Sequence, residues 1–262
     1  MKKLASVLFL ITLFESCSNK QVVEQYWDAT NKQLKERYET VKGKPGIKDG
    51  KYESFYKDGS PELISYYKQN QLCDSLLAYD NTSHHLKEKA FYKDGKLNGH
   101  RFLFFEDGKV MIMETYTNDK EDGVYLSYFK NGKKEQEGQY VDGKLSGVWH
   151  YYYENGQVKE IVTYADGHEF GPYFSFYPNG NRKATGYYLD EDTEDSVWHQ
   201  YYETGELKEI ANYKEGMEEG LTKTFNKDAT VSKEIMYKAG IPVVYKDYVN
   251  KKFTTHAAIK GK

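Results

Sequence analysis

Residues 123–170 read GVYLSYFKNGKKEQEGQYVDGKLS and then GVWHYYYENGQVKEIVTYADGHEF, two blocks of 24 residues placed end to end. Each block opens with Gly, has aromatic residues five and six positions later, Asn-Gly at positions eight and nine, and Tyr at position seventeen. Asn-Gly between two aromatic or β-branched runs is the strongest short-range signal of a β-hairpin. Each block therefore predicts one hairpin.

The same template extends over most of the chain, from residue 50 to about residue 245. A period of this length indicates a stacked repeat array, and a lone hairpin is only marginally stable in water. We therefore predict that residues 47–249 form an all-β, elongated, single-layer antiparallel sheet of about eight stacked hairpins. The opening positions are Gly50, Ser75, Gly99, Gly123, Gly147, Gly171, Ser196 and Gly220, and position seventeen is Tyr67, Tyr92, Tyr116, Tyr140, Tyr164, Tyr188, Tyr213 and Tyr237.

Two blocks depart from the template. The second has Asp80 where an aromatic residue is expected and His84 in place of the turn glycine, and the eighth has Ala229 at the turn glycine. Divergent units are expected near the ends of a stacked array, where they act as caps.

This recurring pattern resembles the MORN-repeat superfamily, and it is most similar to the bacterial MORN-variant repeats described as YwqK-like antitoxins. The resemblance covers about residues 50–245. It implies a twisted single-layer sheet of stacked hairpins and a role in scaffolding or protein–protein contact, with lipid binding as a further proposal. The antitoxin description implies that the protein neutralises a partner by binding to it.

Residues 1–16 have the features of a secretory signal peptide. Lys2 and Lys3 precede the apolar run LASVLFLITLF, which is too short to cross a bilayer as a stable helix. The following Ser16-Cys17 resembles the lipobox of bacterial lipoproteins, which implies cleavage before Cys17 and acylation of this cysteine. Because multiple acyl chains anchor a protein stably, we predict a lipid-anchored protein of the bacterial envelope, on the outer membrane in a Gram-negative cell. The alternative is an ordinary cleaved signal.

Residues 17–46 are predicted to form a short helix and a linker. Apolar residues recur at three- and four-residue steps from Val23 to Val41, which is typical of an amphipathic helix. The helix would either cover the open edge of the first hairpin or act as a stalk that holds the sheet off the membrane. At the other end, Tyr248, Val249 and Phe253 are candidates for a closing strand, and residues 250–262 are predicted to form a basic tail.

The overall composition argues against a nucleic-acid partner. The chain has 37 Lys and Arg against 40 Asp and Glu, a formal net charge of −3, whereas a nucleic-acid-binding domain is expected to carry a basic patch. Tyrosine is the outstanding component, with 26 residues. A chain rich in aromatic and charged residues suits a thin sheet with little deep core.

The histidines do not form a recognisable catalytic or metal site. His84 and His85 are adjacent, so on a strand they point to opposite faces. His150 and His199 occupy equivalent repeat positions, which repetition explains. No zinc-protease motif, nucleophile elbow or phosphate-binding loop is present.

The remaining polar candidates also favour structural roles. Cys73 is predicted to be a small residue in a diverged turn. Residues 190–195 carry five carboxylates, but their order differs from that of a calcium loop, which favours a solvated acidic turn. We therefore predict a non-enzymatic protein that has no cofactor and no metal site.

Rows of aromatic side chains remain as the candidate binding surface. Tyrosine offers a large, rigid contact area together with a hydroxyl group, so positions two and six of the blocks are candidates for contact with a protein partner. The alternatives are packing between hairpins, binding of a toxin by an antitoxin, and binding of a glycan or lipid. The candidate residues are Tyr52, Tyr125, Trp149, Tyr153, Tyr173, Tyr177, Trp198 and Tyr202.

Overall fold

The computed structural model describes residues 19–30, 32–190 and 193–250, and the backbone of residues 252–255. The described residues form 22 β-strands, and none of them lies in a helix that could span a membrane. They divide into two compact units, residues 1–123 and residues 124–262. The predicted signal peptide with Cys17 and the end of the basic tail lie outside the described residues.

In the first unit, each strand pairs antiparallel with the next strand of the chain. The strands are β1 (Lys20–Tyr26), β2 (Leu34–Val41), β3 (Lys48–Phe55), β4 (Pro61–Lys68), β5 (Gln71–Tyr79), β6 (Leu86–Lys93), β7 (Lys96–Phe104), β8 (Val110–Thr117) and β9 (Lys120–Glu121).

The second unit follows the same plan from β11 onward, with β17 pairing to both β18 and β19. The strands are β10 (Gly123–Tyr128), β11 (Lys134–Val141), β12 (Lys144–Tyr152), β13 (Val158–Ala165), β14 (His168–Phe176), β15 (Arg182–Tyr188), β16 (Glu194–Tyr201), β17 (Leu207–Lys214), β18 (Met217–Glu218), β19 (Gly220–Phe225), β20 (Val231–Lys238), β21 (Ile241–Asp247) and β22 (Lys252–Thr255).

The hairpins have the predicted register. The opening Gly147 lies opposite Tyr164, and the opening Gly171 lies opposite Tyr188. At the far end of each hairpin is a turn that we call the tip. There the amide of Tyr153 donates to the carbonyl of Gln157 at 2.8 Å, as in the other aromatic-to-glycine tips. The prediction of an all-β antiparallel architecture built from successive hairpins is therefore confirmed.

The predicted N-terminal helix is wrong. The stretch from Lys20 to Val41 is instead the hairpin β1–β2, in which Val23 pairs with Tyr38. The turn between the strands is organised by the carboxylate of Asp28, which accepts from the amides of Thr30 at 2.8 Å and Gln33 at 3.0 Å.

The edge of β3 explains why this stretch is extended. Strand β2 pairs along β3, with Tyr38 opposite Tyr52, and so satisfies backbone groups that a helix could not reach. Val23 and Tyr38 are buried, so two of the residues that matched a helical spacing instead share one face of two short strands. The predicted covering of the first hairpin's edge is retained, but it is made by a strand.

The second block opens at Asp74, one residue before the predicted Ser75. Asp74 takes the left-handed conformation, with φ of 66°, and lies opposite Tyr92. The additional residue of this block belongs to the tip, where the amide of Asp80 donates to the carbonyl of His85. In this register Tyr79 is the aromatic residue at position five. The sequence count missed it because the tip of this block has six residues, which shifts the numbering of the block by one.

The C-terminal end continues the sheet. The predicted closing strand forms as β22, which pairs with β21 and includes Phe253. Tyr248 and Val249 lie in the turn between β21 and β22, where the carboxylate of Asp247 accepts from the amide of Val249 at 3.0 Å. The predicted basic tail of residues 250–262 therefore contains a strand, β22.

Candidate functional site

Cross-strand pairing divides the side chains of the second unit between two faces, because directly paired residues lie on the same side of a sheet. We call one side the tyrosine face: Trp149, Tyr151, Glu160, Val162, Tyr164, Glu169, Tyr173, Ser175, Ala184, Gly186, Tyr188, Glu194, Trp198, Gln200, Glu209, Ala211, Tyr213 and Glu218. We call the other the neutral face: Val148, His150, Ile161, Thr163, Pro172, Phe174, Thr185, Tyr187, Val197, His199, Ile210 and Asn212.

Two tryptophans form the centres of aromatic clusters on the tyrosine face. The ring of Trp149 lies 5.3 Å from that of Tyr140, and the ring of Trp198 lies 5.2 Å from that of Tyr188, both in edge-to-face geometry. Their exposed fractions are only 1% and 8%. Such ring pairs add about 0.5–1.5 kcal/mol beyond the burial of area, so these clusters act as the core of a thin sheet.

Each tryptophan occupies space left by a glycine on the preceding strand. A Cβ atom on Gly138 would lie 2.2 Å from the Trp149 ring, and one on Gly186 would lie 2.1 Å from the Trp198 ring. Both glycines lie at breaks in the strand register. The equivalent position in other blocks holds a larger residue, such as Val162, so the tryptophan and the glycine form a matched pair.

Tyrosine hydroxyls at position six join each hairpin tip to the next. The hydroxyl of Tyr153 donates to the carbonyl of Phe176, that of Tyr177 to Tyr201, and that of Tyr202 to Phe225, each at 2.8 Å. In the first unit, the hydroxyl of Tyr56 makes the same contact with the carbonyl of Tyr79.

Asparagine side chains add a second tie between tips. The amide nitrogens of Asn131, Asn155 and Asn179 donate to the carbonyls of Glu154, Pro178 and Glu203 at 2.7–2.9 Å. In the first unit a contact of 2.8 Å between Nε2 of His84 and the carboxylate of Asp58 takes this place. The local sequence pattern assigns these asparagines to the turns alone and does not reveal the second function, because this function depends on a residue about one repeat away.

The predicted site residues all have partners within the sheet. Trp149 and Trp198 are buried, and the position-two tyrosines are partly buried in ring contacts. The position-six tyrosines are partly buried and use their hydroxyls to join the tips. Packing between hairpins, the alternative interpretation of these rows, therefore describes the contacts of the eight residues: Tyr52, Tyr125, Trp149, Tyr153, Tyr173, Tyr177, Trp198 and Tyr202.

Carboxylates make the tyrosine face electrostatically negative. Burial and the carboxylate of Glu218 raise the pKa of Glu194. Burial and the nearby Glu194 and Glu218 raise the pKa of Tyr213 to about 12, and burial with Glu169 raises the pKa of Tyr188 further. Each raised pKa shows that the neutral form of the group is favoured, as expected where like charges are close.

The neutral face was not singled out from the sequence, although both strand faces carry apolar bulk there. The twelve residues named above are uncharged, and three charged residues pair onto the same face: Glu137 opposite His150, Asp195 opposite Tyr187 and Lys223 opposite Ile210. Val148 is 51% exposed and Val197 is 42% exposed, and Pro172 is exposed as well. His150 and His199 stack on the rings of Tyr152 and Tyr201. This face therefore presents an apolar surface on one side of an antiparallel sheet.

The first unit holds a lysine among tyrosine rings. The ammonium nitrogen of Lys48 lies 3.8 Å from the ring centroid of Tyr52 and 5.3 Å from those of Tyr38 and Tyr67. Burial lowers the pKa of Lys48, although the charge of Glu36 opposes this. The contact is a cation–π interaction with several rings.

The described residues contain no group of His, Cys, Asp and Glu side chains that could hold a metal ion. Cys73 is a free, partly buried thiol. The predicted acidic turn at residues 190–195 lies partly outside the described residues; within it, the amide of Thr193 donates to the carbonyl of Asp190 at 2.7 Å.

Three solved structures of toxin complexes share a weak structural similarity with the chain. The crystal structure of TcdB2–TccC3 is 11% identical with a TM-score of 0.21, over 86% of this chain and 14% of that one. The Photorhabdus luminescens Tc holotoxin pore is 13% identical with a TM-score of 0.22, over 92% and 15%. The chain thus spans about a seventh of these proteins, and at such TM-scores the similarity supports no conclusion about function.

No curated protein matches the chain. The family model for the MORN repeat variant, in contrast, matches six stretches: residues 48–69, 97–118, 121–142, 145–166, 171–190 and 195–215. The second and eighth blocks, which depart from the template, lie outside these stretches. Hairpin register, tip geometry and the six matched repeats agree, and the chain belongs to the MORN repeat variant family.

Proposed function

We propose that this protein is a non-enzymatic binding scaffold of the bacterial envelope, anchored by lipid on Cys17, that holds a protein partner on the neutral face. The single observation that carries this proposal is the exposure of apolar side chains on one face of the second unit, at Val148 and Val197. Isolated apolar side chains are normal on a protein surface, but a contiguous apolar patch marks an interaction site.

The chemistry of the face defines the kind of partner. His150, Ile161 and Phe174 occupy consecutive paired positions, and the row continues through Thr185 to His199. Exposed apolar side chains favour a partner with an apolar patch of its own, because contact between the two removes apolar area from water. The opposite face carries carboxylates and so suits a different class of ligand.

Site-specific photo-crosslinking tests the location of the partner. A photoreactive amino acid replaces Val148 or Val197 in the full-length protein, and Gln200 serves as the control. Gln200 is exposed but lies on the tyrosine face, on the other side of the sheet. We expect the same partner to crosslink from Val148 and Val197 and not from Gln200.

Binding of substituted variants to the purified partner completes the test. Val148→Lys with Val197→Lys should abolish binding, whereas Gln200→Lys, on the opposite face, should retain it. Equal crosslinking from all three positions, or full binding by the double variant, would contradict the proposal. Anchoring is tested separately by Cys17→Ser, which should move the protein from the membrane fraction to the soluble envelope fraction.

A further inference from the structure

A concave pocket of about 360 Å³ lies on the first unit, where the first block meets the second. Leu63 and Ala78, which pair directly across two strands, line the pocket together with the rings of Tyr52, Tyr56 and Tyr79. A volume of this size, lined by apolar and aromatic side chains, is in the range of pockets that hold small molecules.

The second block departs from the repeat at this pocket. Ala78 occupies position four of the block and lies opposite Leu63. In the fifth block the same position holds Tyr151, which lies opposite Gln136. A methyl group thus stands where the later block places a phenol ring. The difference in side-chain volume accounts for the open space at this point of the sheet.

Hydrogen-bonding groups of both kinds line the pocket beside the rings. The hydroxyl of Ser54, a buried residue, donates to the carboxylate of Glu62 at 2.9 Å, and the hydroxyl of Tyr56 donates to the carbonyl of Tyr79 at 2.8 Å. Because these protons are already used, the hydroxyl oxygens remain as acceptors, and the carboxylate has further acceptor positions. Lys87 also lines the pocket, and its ammonium group provides donors.

The charges around the pocket have both signs, which disfavours a charged ligand. Burial and three nearby carboxylates raise the pKa of Tyr56, so an anionic ligand would meet repulsion. These carboxylates belong to Glu62, Asp80 and Asp58. The ammonium group of Lys87, whose charge also acts on Asp80, would repel a cationic ligand. A neutral ligand rich in hydroxyl groups avoids both penalties, since a hydroxyl donates to a carboxylate and accepts from an ammonium group.

We propose that this pocket binds a neutral carbohydrate. One sugar ring packs its C–H face on the tyrosine rings, because the negative face of an aromatic ring attracts weakly positive C–H groups. The hydroxyl groups of the sugar donate to the carboxylate of Glu62 and accept from the ammonium group of Lys87. The rings thus supply the contact area, and the two charged side chains fix the orientation of the ligand.

Saturation-transfer NMR with the full-length protein tests this proposal. The probes are glucose, maltose, cellobiose and lactose, and the charged controls are glucosamine and glucuronic acid. We expect transfer to at least one neutral sugar, with a dissociation constant on the order of 1 mM, and weaker transfer to both charged controls. Absence of transfer to every neutral sugar at about 10 mM, or tighter binding of glucosamine or glucuronic acid, would overturn the proposal.

Three variants locate the site. Ala78→Tyr introduces the residue that the fifth block has at this position, Tyr151, and should abolish transfer while urea unfolding remains cooperative. Glu62→Gln keeps the shape of the pocket but removes the charged acceptor, and should weaken binding about tenfold. Glu135→Gln is the matched control, because Glu135 accepts from Ser127 in the equivalent pair of the fourth block, and it should bind as the wild type does. Wild-type affinity in Glu62→Gln, or equal weakening in Glu135→Gln, would overturn the assignment.

Discussion

The indole ring of Trp149 lies in the space where Gly138 lacks a side chain. A Cβ atom at Gly138 would be 2.2 Å from the ring, and the ring is almost completely buried. The same relationship recurs between Trp198 and Gly186. A sheet that is one layer thick thus has a buried core, because a large ring packs directly against the backbone of a glycine.

This relationship predicts the effect of adding one methyl group. Gly138→Ala should destabilise the protein by about 1–3 kcal/mol, because the added carbon displaces a packed ring rather than a flexible chain end. Urea unfolding monitored by tryptophan fluorescence measures the change. Gly46→Ala is the control, since nothing lies within 4 Å of its Cβ position and it should unfold like the wild type. A Gly138→Ala variant of wild-type stability would contradict the packing described.

The tip hydroxyls provide a second prediction. Tyr177→Phe removes the hydrogen bond to the Tyr201 carbonyl and should cost about 0.5–1.5 kcal/mol. Tyr201→Phe is the matched control, because the described residues offer its hydroxyl no hydrogen-bond partner. The free energy of unfolding of both variants is measured in urea. Equal losses in the two variants would show that the hydroxyl tie contributes nothing specific.

The asparagine ties predict a local effect of an isosteric change. Asn155→Asp keeps the oxygen that accepts from the amide of Gln157 but removes the donor to Pro178. Hydrogen exchange at the tip should become faster, while exchange in the centre of β12 stays unchanged. Asp107→Asn is the control, since Asp107 bonds within its own tip, to Lys109. Uniformly faster exchange through the unit would argue against a local tie.

Glu194 predicts a pH dependence of stability. Burial and Glu218 raise the pKa of Glu194 above the ordinary value of 4.5, so the folded state retains a proton at pH values where the unfolded state has lost it. The contribution of this group to stability therefore falls as the pH rises from 4.5 through the raised pKa.

Glu194→Gln should consequently be more stable than the wild type at pH 7, and the difference should shrink toward pH 4. Melting temperatures measured across this range test the sign. Glu203→Gln, whose carboxylate is exposed at a tip, should follow the wild-type curve. A variant that is less stable than the wild type at pH 7 would show that Glu194 has a favourable partner instead.

The period, the tips and the tyrosine positions follow from the local sequence pattern. These depend on local chemistry, because a tip needs particular residues within a few positions of one another. Local rules also identified the strands of the later hairpins, where the pattern repeats in register. The same rules failed at residues 20–41, where short alternating strands also matched a helical spacing and only the edge of β3 selected between them.

The burial of particular aromatic rings and the exposure of the neutral face depend instead on contacts between repeats. Trp149 appears equally able to face solvent or core when only its own block is considered; its burial follows from Gly138 on the neighbouring strand. The neutral face emerged in the same way, since Val148 and Val197 share a surface only when several strands pair in register. Each of these properties depends on residues from different repeats, and a one-residue shift in register would move every side chain to the opposite face.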